Sequence, residues 1–283
     1  MKTIGVIGAG VMGKGVAQNA VQSGYKVVLI DVSLEILQKA KEDIYNNIRY
    51  QMLFNKGSNA QDPDEALEKL MLSTDYNSLN NVDFLIENVP EKWETKKKVY
   101  KQIDNICPSH CIILVNTSCI SITKVAALTS RPDKVIGTHF MNPVPMKTTI
   151  EVIKGYHTSQ ETIESTKGLL ADMGKECIIV NDYPGFVSNR LSHLLMNEAA
   201  FVVQDQVASP EEVDDIFKKC FGHKMGPLET ADLIGLDTVA DSLDILYESY
   251  QDSKFRCCPL LRKMVDAGLV GRKSGQGFYE YEI

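Results

Sequence analysis

At 283 residues, with 44% hydrophobic and 24% charged residues, the chain suits one large domain and a smaller one, and disordered or fibrous classes are excluded. A formal net charge of −7 argues against a general nucleic-acid or anionic-membrane surface, which would present a basic field. No run of about 18 apolar residues occurs and no signal-peptide cleavage region follows the N-terminus, so a cytoplasmic location is expected.

The first third alternates short apolar runs with longer amphipathic segments, the pattern of βαβ units on a parallel sheet. Thr3–Ile7 is predicted as a strand, Val11–Ser23 as a helix ended by Gly24, and Lys26–Ile30 as a second strand closing on Asp31. From Ser33 to about Leu72 the chain reads as polar and mostly helical, interrupted by Lys56-Gly57-Ser58-Asn59 and Asp62-Pro63. That length exceeds an ordinary crossover and predicts a helical hairpin acting as a lid.

Further strands are expected at Val82–Ile86, Ile112–Val115, Lys134–Thr138, Thr149–Ile153 and Glu176–Val180, with helices at Glu91–Asn105, Ile122–Leu128 and Gln160–Met173. From Pro184-Gly185 the alternation stops and the chain reads as helical. The expected architecture is therefore a Rossmann-type, mainly parallel α/β sheet with a helical lid over residues 1–183, followed by an all-α domain over 184–283. The seven cysteines are odd in number and scattered, which reads as reduced thiols. Cys107 and Cys111 flank His110, but no second pair at metal-ligand spacing follows, so no metal is expected.

Gly8-Ala9-Gly10-Val11-Met12-Gly13 links a predicted strand to a predicted helix, the context that a dinucleotide fingerprint requires. Gly8 makes the tight turn, Gly10 lets the backbone approach a pyrophosphate, and Gly13 lets helix and strand pack closely, with the helix N-terminus facing the phosphates. Asp31 ends the second strand, where a carboxylate accepts from the adenosine ribose. Val32 and Ser33 follow it in place of an arginine, which favours NAD over NADP.

His139 falls at the carboxyl end of one predicted strand and Ser118 just past another, both on the ligand-binding edge of an open parallel sheet. The prolines of Asn142-Pro143-Val144-Pro145 force an extended turn. If Thr149–Ile153 returns beside the His139 strand, Glu151 comes within reach of the imidazole, where it would fix the tautomer and stabilise the imidazolium. His110, His157, His193 and His223 lack such context and read as core or surface residues. Asn189 is expected about a turn inside a predicted helix despite its poor propensity there, and a contact of its amide with a substrate carbonyl would compensate. Lys92, Lys96, Lys97 and Lys98 form a basic run that ordinarily means a solvated face, with Lys96 nearest the predicted cleft.

Taken together, IGVIGAGVMGKGVA, IENVPE (Ile86–Glu91), NTSCISIT (Asn116–Thr123), GTHFMNPVP (Gly137–Pro145), PGFVSNRL (Pro184–Leu191), GPLETADLIGLD (Gly226–Asp237) and GRKSGQGFY (Gly271–Tyr279) closely resemble the 3-hydroxyacyl-CoA dehydrogenase family, in particular its short bacterial members, across essentially the whole chain. The resemblance implies an NAD-dependent oxidation of a 3-hydroxyacyl thioester with His139 as base, Glu151 as its partner, and Ser118 and Asn189 as substrate-side hydrogen-bonding residues. It implies cofactor contacts at Glu91, Lys96, Asn116, Ser118 and Asn142 beside the glycine turn and Asp31, and a homodimer built through the C-terminal helices.

The chain departs from the family in places. Met141 stands where Phe is usual, Met146-Lys147-Thr148-Thr149 replaces a Val-Met-Lys-Leu stretch, and the lid segment Arg49–Lys56 carries fewer lysines. Fewer cations weaken the case for free coenzyme A. The second expectation is accordingly a small polar acyl group, glyceryl or seryl, delivered on an acyl carrier protein for polyketide extender units. The glycine turn also resembles β-hydroxyacid and 6-phosphogluconate dehydrogenases, but their catalytic lysine motif is missing near Gly185–Asn189. An inactive NAD-binding structural or regulatory relative is the reading of another class, and the joint presence of His139, Glu151, Ser118 and Asn189 weighs against it.

Overall fold

The computed structural model describes residues 2–54 and 62–282. The chain divides into two compact units, Met1–Asp182 and Tyr183–Ile283, each with its own core.

In chain order the first unit contains β1 (Thr3–Ile7), α1 (Val11–Gln22), β2 (Lys26–Ile30), α2 (Leu34–Phe54), α3 (Pro63–Leu67), β3 (Leu70–Ser73), a 3-10 turn at Tyr76–Leu79, β4 (Phe84–Glu87), α4 (Trp93–Ile106), β5 (Ile112–Val115), α5 (Ile122–Ala126), β6 (Val135–His139), β7 (Thr149–Lys154), α6 (Gln160–Asp172) and β8 (Glu176–Asn181). The strands form one sheet in the order β3-β2-β1-β4-β5-β6-β7-β8. Every neighbouring pair is parallel except β6 and β7. β4, β5 and β6 are buried throughout, and β1 and β2 in all but their first residue, as near-continuous Val/Ile/Leu runs require when helices cover both faces. Strand order reverses at β1 and β4, so the crevice of a doubly wound sheet opens between their carboxyl ends.

Two readings of the lid region change. α2 runs for 21 residues and Asp62 caps α3, its carboxylate accepting from the Asp64 amide at 2.8 Å. The Lys56–Asn59 turn cluster lies outside the described residues. Leu70–Ser73 is a strand, not the end of a helical stretch: it pairs in parallel with β2 as the sheet edge. Only Leu70 of its four residues is buried, and the apolar run is too short to stand out from the amphipathic sequence before it.

The second unit contains α7 (Ser188–Gln204), α8 (Pro210–Cys220), α9 (Pro227–Ile234), α10 (Leu236–Tyr250) and α11 (Pro259–Asp266), around a core that includes Met196, Leu228, Leu236, Leu243 and Leu261. Two buried carboxylates stitch it together. Asp214 accepts from the amides of Leu228 and Glu229 and from the Tyr279 hydroxyl, and Asp232 from the amides of Phe278 and Tyr279 and the Tyr281 hydroxyl. The GRKSGQGFY segment thus serves to close the helical unit. Among the described residues, no helix is long and apolar enough to cross a membrane.

Candidate active site

A cleft of about 650 Å³ opens along the carboxyl ends of β1, β2, β4, β5 and β6. Gly8, Gly10, Val11, Met12, Asp31, Glu91, Asn116, Ser118 and His139 all line it. Gly8 has φ +90°, and a side chain there would meet the Asn88 carbonyl oxygen at 2.7 Å. One at Gly13 would lie 1.8 Å from the Gly8 carbonyl oxygen. These two glycines serve the turn itself. A side chain at Gly10 would meet no protein atom within 4 Å, so packing of the fold does not require a glycine there. Gly10 also caps α1 without any side-chain hydrogen bond, leaving first-turn amides for an anion.

Asp31 is fixed at the adjoining position: one carboxylate oxygen accepts from the Ala9 amide and the other from the Val32 amide, each at 2.7 Å. No lysine or arginine is among the described residues that line the cleft. A diphosphate cradle beside an acid with no cation fits the nonphosphorylated dinucleotide, since a 2′-phosphate would face Asp31 unneutralised.

The opposite end of the cleft carries the acid–base groups. Antiparallel pairing puts Glu151 directly across from His139, and Glu151 Oε2 lies 3.1 Å from His139 Nδ1. Ser118 Oγ lies 3.2 Å from His139 Nε2. Both members of the His–Glu pair are buried, at 6% and 9% exposure, where a charge-assisted hydrogen bond is little screened. With the Nδ1 proton directed at the carboxylate, Nε2 presents its lone pair toward Ser118.

Ser118 is held by a brace. Glu91, just before α4, accepts through one carboxylate oxygen from the amides of Ser118, Cys119 and Ile120 at 3.0, 2.9 and 3.2 Å, and from the Thr117 hydroxyl. Asn116 ties three strand ends together: its amide donates to Asn88 at 2.7 Å and its side-chain oxygen accepts from the Phe140 amide at 3.3 Å.

Three residues sit differently from the sequence reading. Lys96 is on no solvated face: it is fully buried, and its ammonium donates to both Glu87 carboxylate oxygens at 2.9 and 2.8 Å and to the Asn116 carbonyl at 3.2 Å. It reaches the cleft through those groups, and the helical period that turns it inward leaves Lys98 exposed. Asn142 is exposed and is absent from the residues lining this cleft. It lines a second groove of about 900 Å³ with residues of α1 and α2. Asn189 lies in the first turn of α7, not a turn inside, and its carbonyl is 3.0 Å from His193 Nδ1.

Glu87 and Tyr100, both fully buried, and Tyr76, which lines the cleft, are absent from the sequence reading of the site. Glu87 ends β4 as Asp31 follows β2, which was the available signal. Its carboxyl is pushed up by burial and drawn back by Lys96, the Tyr100 hydroxyl at 2.9 Å and the Val89 amide at 2.7 Å. The Cys107 and Cys111 thiols are buried, and the neighbouring Cys107 together with burial pushes the Cys111 thiol up.

This edge of the sheet is built as dinucleotide-dependent dehydrogenases are built, with a glycine-rich turn and the hydrogen-bonded His139–Glu151 pair at one cleft. Comparison with known proteins narrows the class. Residues 3–183 match the family described as 3-hydroxyacyl-CoA dehydrogenase, NAD binding domain, and residues 185–281 match 3-hydroxyacyl-CoA dehydrogenase, C-terminal domain. The chain belongs to the 3-hydroxyacyl-CoA dehydrogenase family, NAD-dependent oxidoreductases acting on a CH–OH group. It is 42% identical over 283 residues to the probable 3-hydroxybutyryl-CoA dehydrogenase of Bacillus subtilis, covering 100% of this chain and 98% of that one. It is 44% identical to the protein of the same description from Deinococcus radiodurans, covering 98% and 99%. The crystal structure of (S)-3-hydroxybutyryl-CoA dehydrogenase from Ralstonia eutropha superposes with a TM-score of 0.95 at 42% identity over 100% of both chains.

Proposed function

We propose that the chain interconverts a 3-hydroxyacyl thioester and its 3-oxo counterpart, with 3-hydroxybutyryl-CoA as the substrate and His139 as the general base. The observation that carries this reading is the hydrogen-bonded run Ser118–His139–Glu151 at the edge that also holds the glycine turn. NAD, when bound, supplies the acceptor for the hydride that leaves the carbinol carbon. Nε2 of His139 takes the hydroxyl proton, and the buried Glu151 carboxylate stabilises the imidazolium that forms. In the opposite direction the imidazolium returns the proton to the ketone. Ser118 orients the substrate hydroxyl, and Asn189 is assigned to the thioester oxygen on likeness to the family's motif. Gly8, Gly10, Val11, Met12 and Gly13 are assigned to the diphosphate, Asp31 to the adenosine ribose, and Glu91 and Asn116 to shaping the nicotinamide end.

The second groove bears on the thioester's carrier. Gln18, Gln22, Asn47, Gln51 and Asn142 line it with Lys14, whose ammonium already pairs with Asp43 at 2.5 Å. Its carboxamides suit an uncharged, amide-bearing arm, which coenzyme A and a carrier protein's phosphopantetheine share. The homodimer is proposed on the exposed Leu191, Phe221 and Leu233 of the helical unit.

Steady-state assay of the purified protein with 3-hydroxybutyryl-CoA, and with glyceryl- and seryl-loaded carrier protein, tests the substrate. Efficient turnover of the coenzyme A thioester is expected, and a large preference for the carrier-bound groups would replace this reading with the second. His139→Gln should lower kcat by roughly 10²–10⁴ with NAD affinity retained. Unchanged turnover would refute the assignment.

A further inference from the structure

We propose that Asp182 is a positioning residue for the reaction: it ties the segment that carries Ser118 to the strand pair that carries Glu151, and so sets where the Ser118 hydroxyl stands against His139. This rests on the reading of Ser118 as the group that orients the substrate hydroxyl. Asp182 itself lies outside every motif of the family resemblance.

The segment from Ser118 to Lys124 leaves the sheet after β5 and belongs to no strand. α5 begins within it and has five residues, too few to hold itself. Side-chain acceptors fix the segment instead. Glu91 takes the amides of Ser118, Cys119 and Ile120. Asp182 takes the next groups along the chain. One of its carboxylate oxygens accepts from the Ile122 amide at 3.1 Å, and the other from the Ser121 hydroxyl at 2.8 Å and the Thr123 amide at 2.7 Å. Ser121 Oγ in turn accepts from the Lys124 amide at 3.2 Å. Of the seven backbone amides from Ser118 to Lys124, five therefore end on two carboxylates and a sixth on a hydroxyl that one of them holds.

Asp182 stands on the sheet. It follows β8 directly, its amide donates to the Lys154 carbonyl at 3.0 Å, and Asn181 before it pairs with Lys154 in the parallel β7–β8 ladder. The same ladder sets Ile178 opposite Glu151. The turn after β7 adds a contact of its own, the Tyr156 amide donating to Thr123 Oγ1 at 2.9 Å. The contacts thus close a ring: Glu151 on β7, Asp182 after β8, the segment it holds, Ser118, and His139, which meets Glu151 again. Glu91 fixes the segment from the α4 side, and Asp182 refers it to the strands that place Glu151. Asparagine at 182 would offer one acceptor oxygen where the carboxylate uses two, turning its NH₂ toward a donor. The start of α5 would shift, and Ser118 lies three residues before Ser121.

Single-turnover stopped-flow measurement of NADH formation from 3-hydroxybutyryl-CoA, with the full chain and saturating NAD, tests the brace. Asp182→Asn is expected to slow this step by roughly 5- to 100-fold, up to the loss that a misplacement of about 1 Å brings. The two residues should act as one unit, so adding Asp182→Asn to Ser118→Ala should slow that variant by no more than about twofold. A merely structural role would slow both backgrounds alike. A single-variant rate within about twofold of wild type, or an equal loss in both backgrounds, would overturn the proposal. Should Asp182→Asn fail to fold, Ser121→Ala removes one donor from the same carboxylate and is read by the same cycle, with a loss of about threefold or more expected only where Ser118 is present. Ser118→Ala at the wild-type rate, or a wild-type protein inactive on this thioester, would remove the reading on which the brace stands, a failure distinct from that of Asp182.

Discussion

Replacing Lys96 by methionine should destabilise the first unit severely, although the position touches no solvent. Glu87, Lys96 and Tyr100 are each 0% exposed, and the ammonium supplies two of the four hydrogen bonds reaching the Glu87 carboxylate. Methionine keeps most of the volume and removes the charge, leaving a buried carboxylate without its counter-ion. Breaking a buried pair from one side costs about 3–5 kcal/mol. For a unit of this size each kcal/mol is worth about 2–4 °C in Tm, so a fall of roughly 6–20 °C is expected by differential scanning calorimetry.

The pH dependence supplies an independent check. Burial already holds the Glu87 carboxyl above its ordinary range, and without Lys96 the opposing pull is gone. A carboxyl whose folded-state pKa lies above its unfolded value favours the native state at low pH and loses that advantage as pH rises through the folded value. The deficit of Lys96→Met is therefore smaller at pH 5 than at pH 8, and adding Glu87→Gln recovers part of it at the higher pH. A Tm within about 2 °C of wild type, or a deficit independent of pH, would refute the argument.

Other expectations follow from single contacts. Lys175 is buried and donates to the carbonyls of Val144 and Lys147 at 2.7 and 2.6 Å, and burial lowers its ammonium from the ordinary 10.5. The native state then binds fewer protons than the unfolded chain between that lowered value and 10.5, so Lys175 makes stability rise with pH across that window. Lys175→Met should erase this slope in urea titrations and cost about 1–3 kcal/mol through the two stranded carbonyls. Glu91→Gln keeps an acceptor for the Ser118–Ile120 amides but removes the charge on it. We expect kcat to fall by roughly 5- to 30-fold in steady-state assays, at about 1–2 kcal/mol of lost positioning, with fold stability changed by less.

The sheet was legible because its central strands are buried on both faces and read as continuous apolar runs. β1, β2 and β5 begin and end where the sequence placed them, and β6 is one residue later at each end. The glycine turn and Asp31 were equally legible, since a strand–turn–helix context leaves few other conformations to Gly8 and Gly13. The illegible parts depend on what lies across space. Whether Lys96 faces water or Glu87 turns on the rotation of α4 over β4 and β5, which one helix's charge pattern does not record. β3 and the Tyr76 turn have too few apolar residues to interrupt a helical reading, and only pairing with β2 makes Leu70–Ser73 a strand.

The antiparallel step at β7 explains how a dinucleotide-binding sheet becomes an acid–base site. Parallel strands bring residues to the same edge only through long crossovers, and each approaches the cleft from its own loop. An antiparallel return from β6 puts a second residue opposite the strand's last one, so His139 and Glu151 meet as a cross-strand pair whose spacing is fixed by the backbone. Slipping β7 by one residue would bring Ile150 or Val152 opposite His139 and turn Glu151 to the other face. That register is held from both sides, by three residue pairs with β6 and by the six-residue parallel pairing of β7 with β8, while Lys175 ties down two carbonyls of the connecting segment.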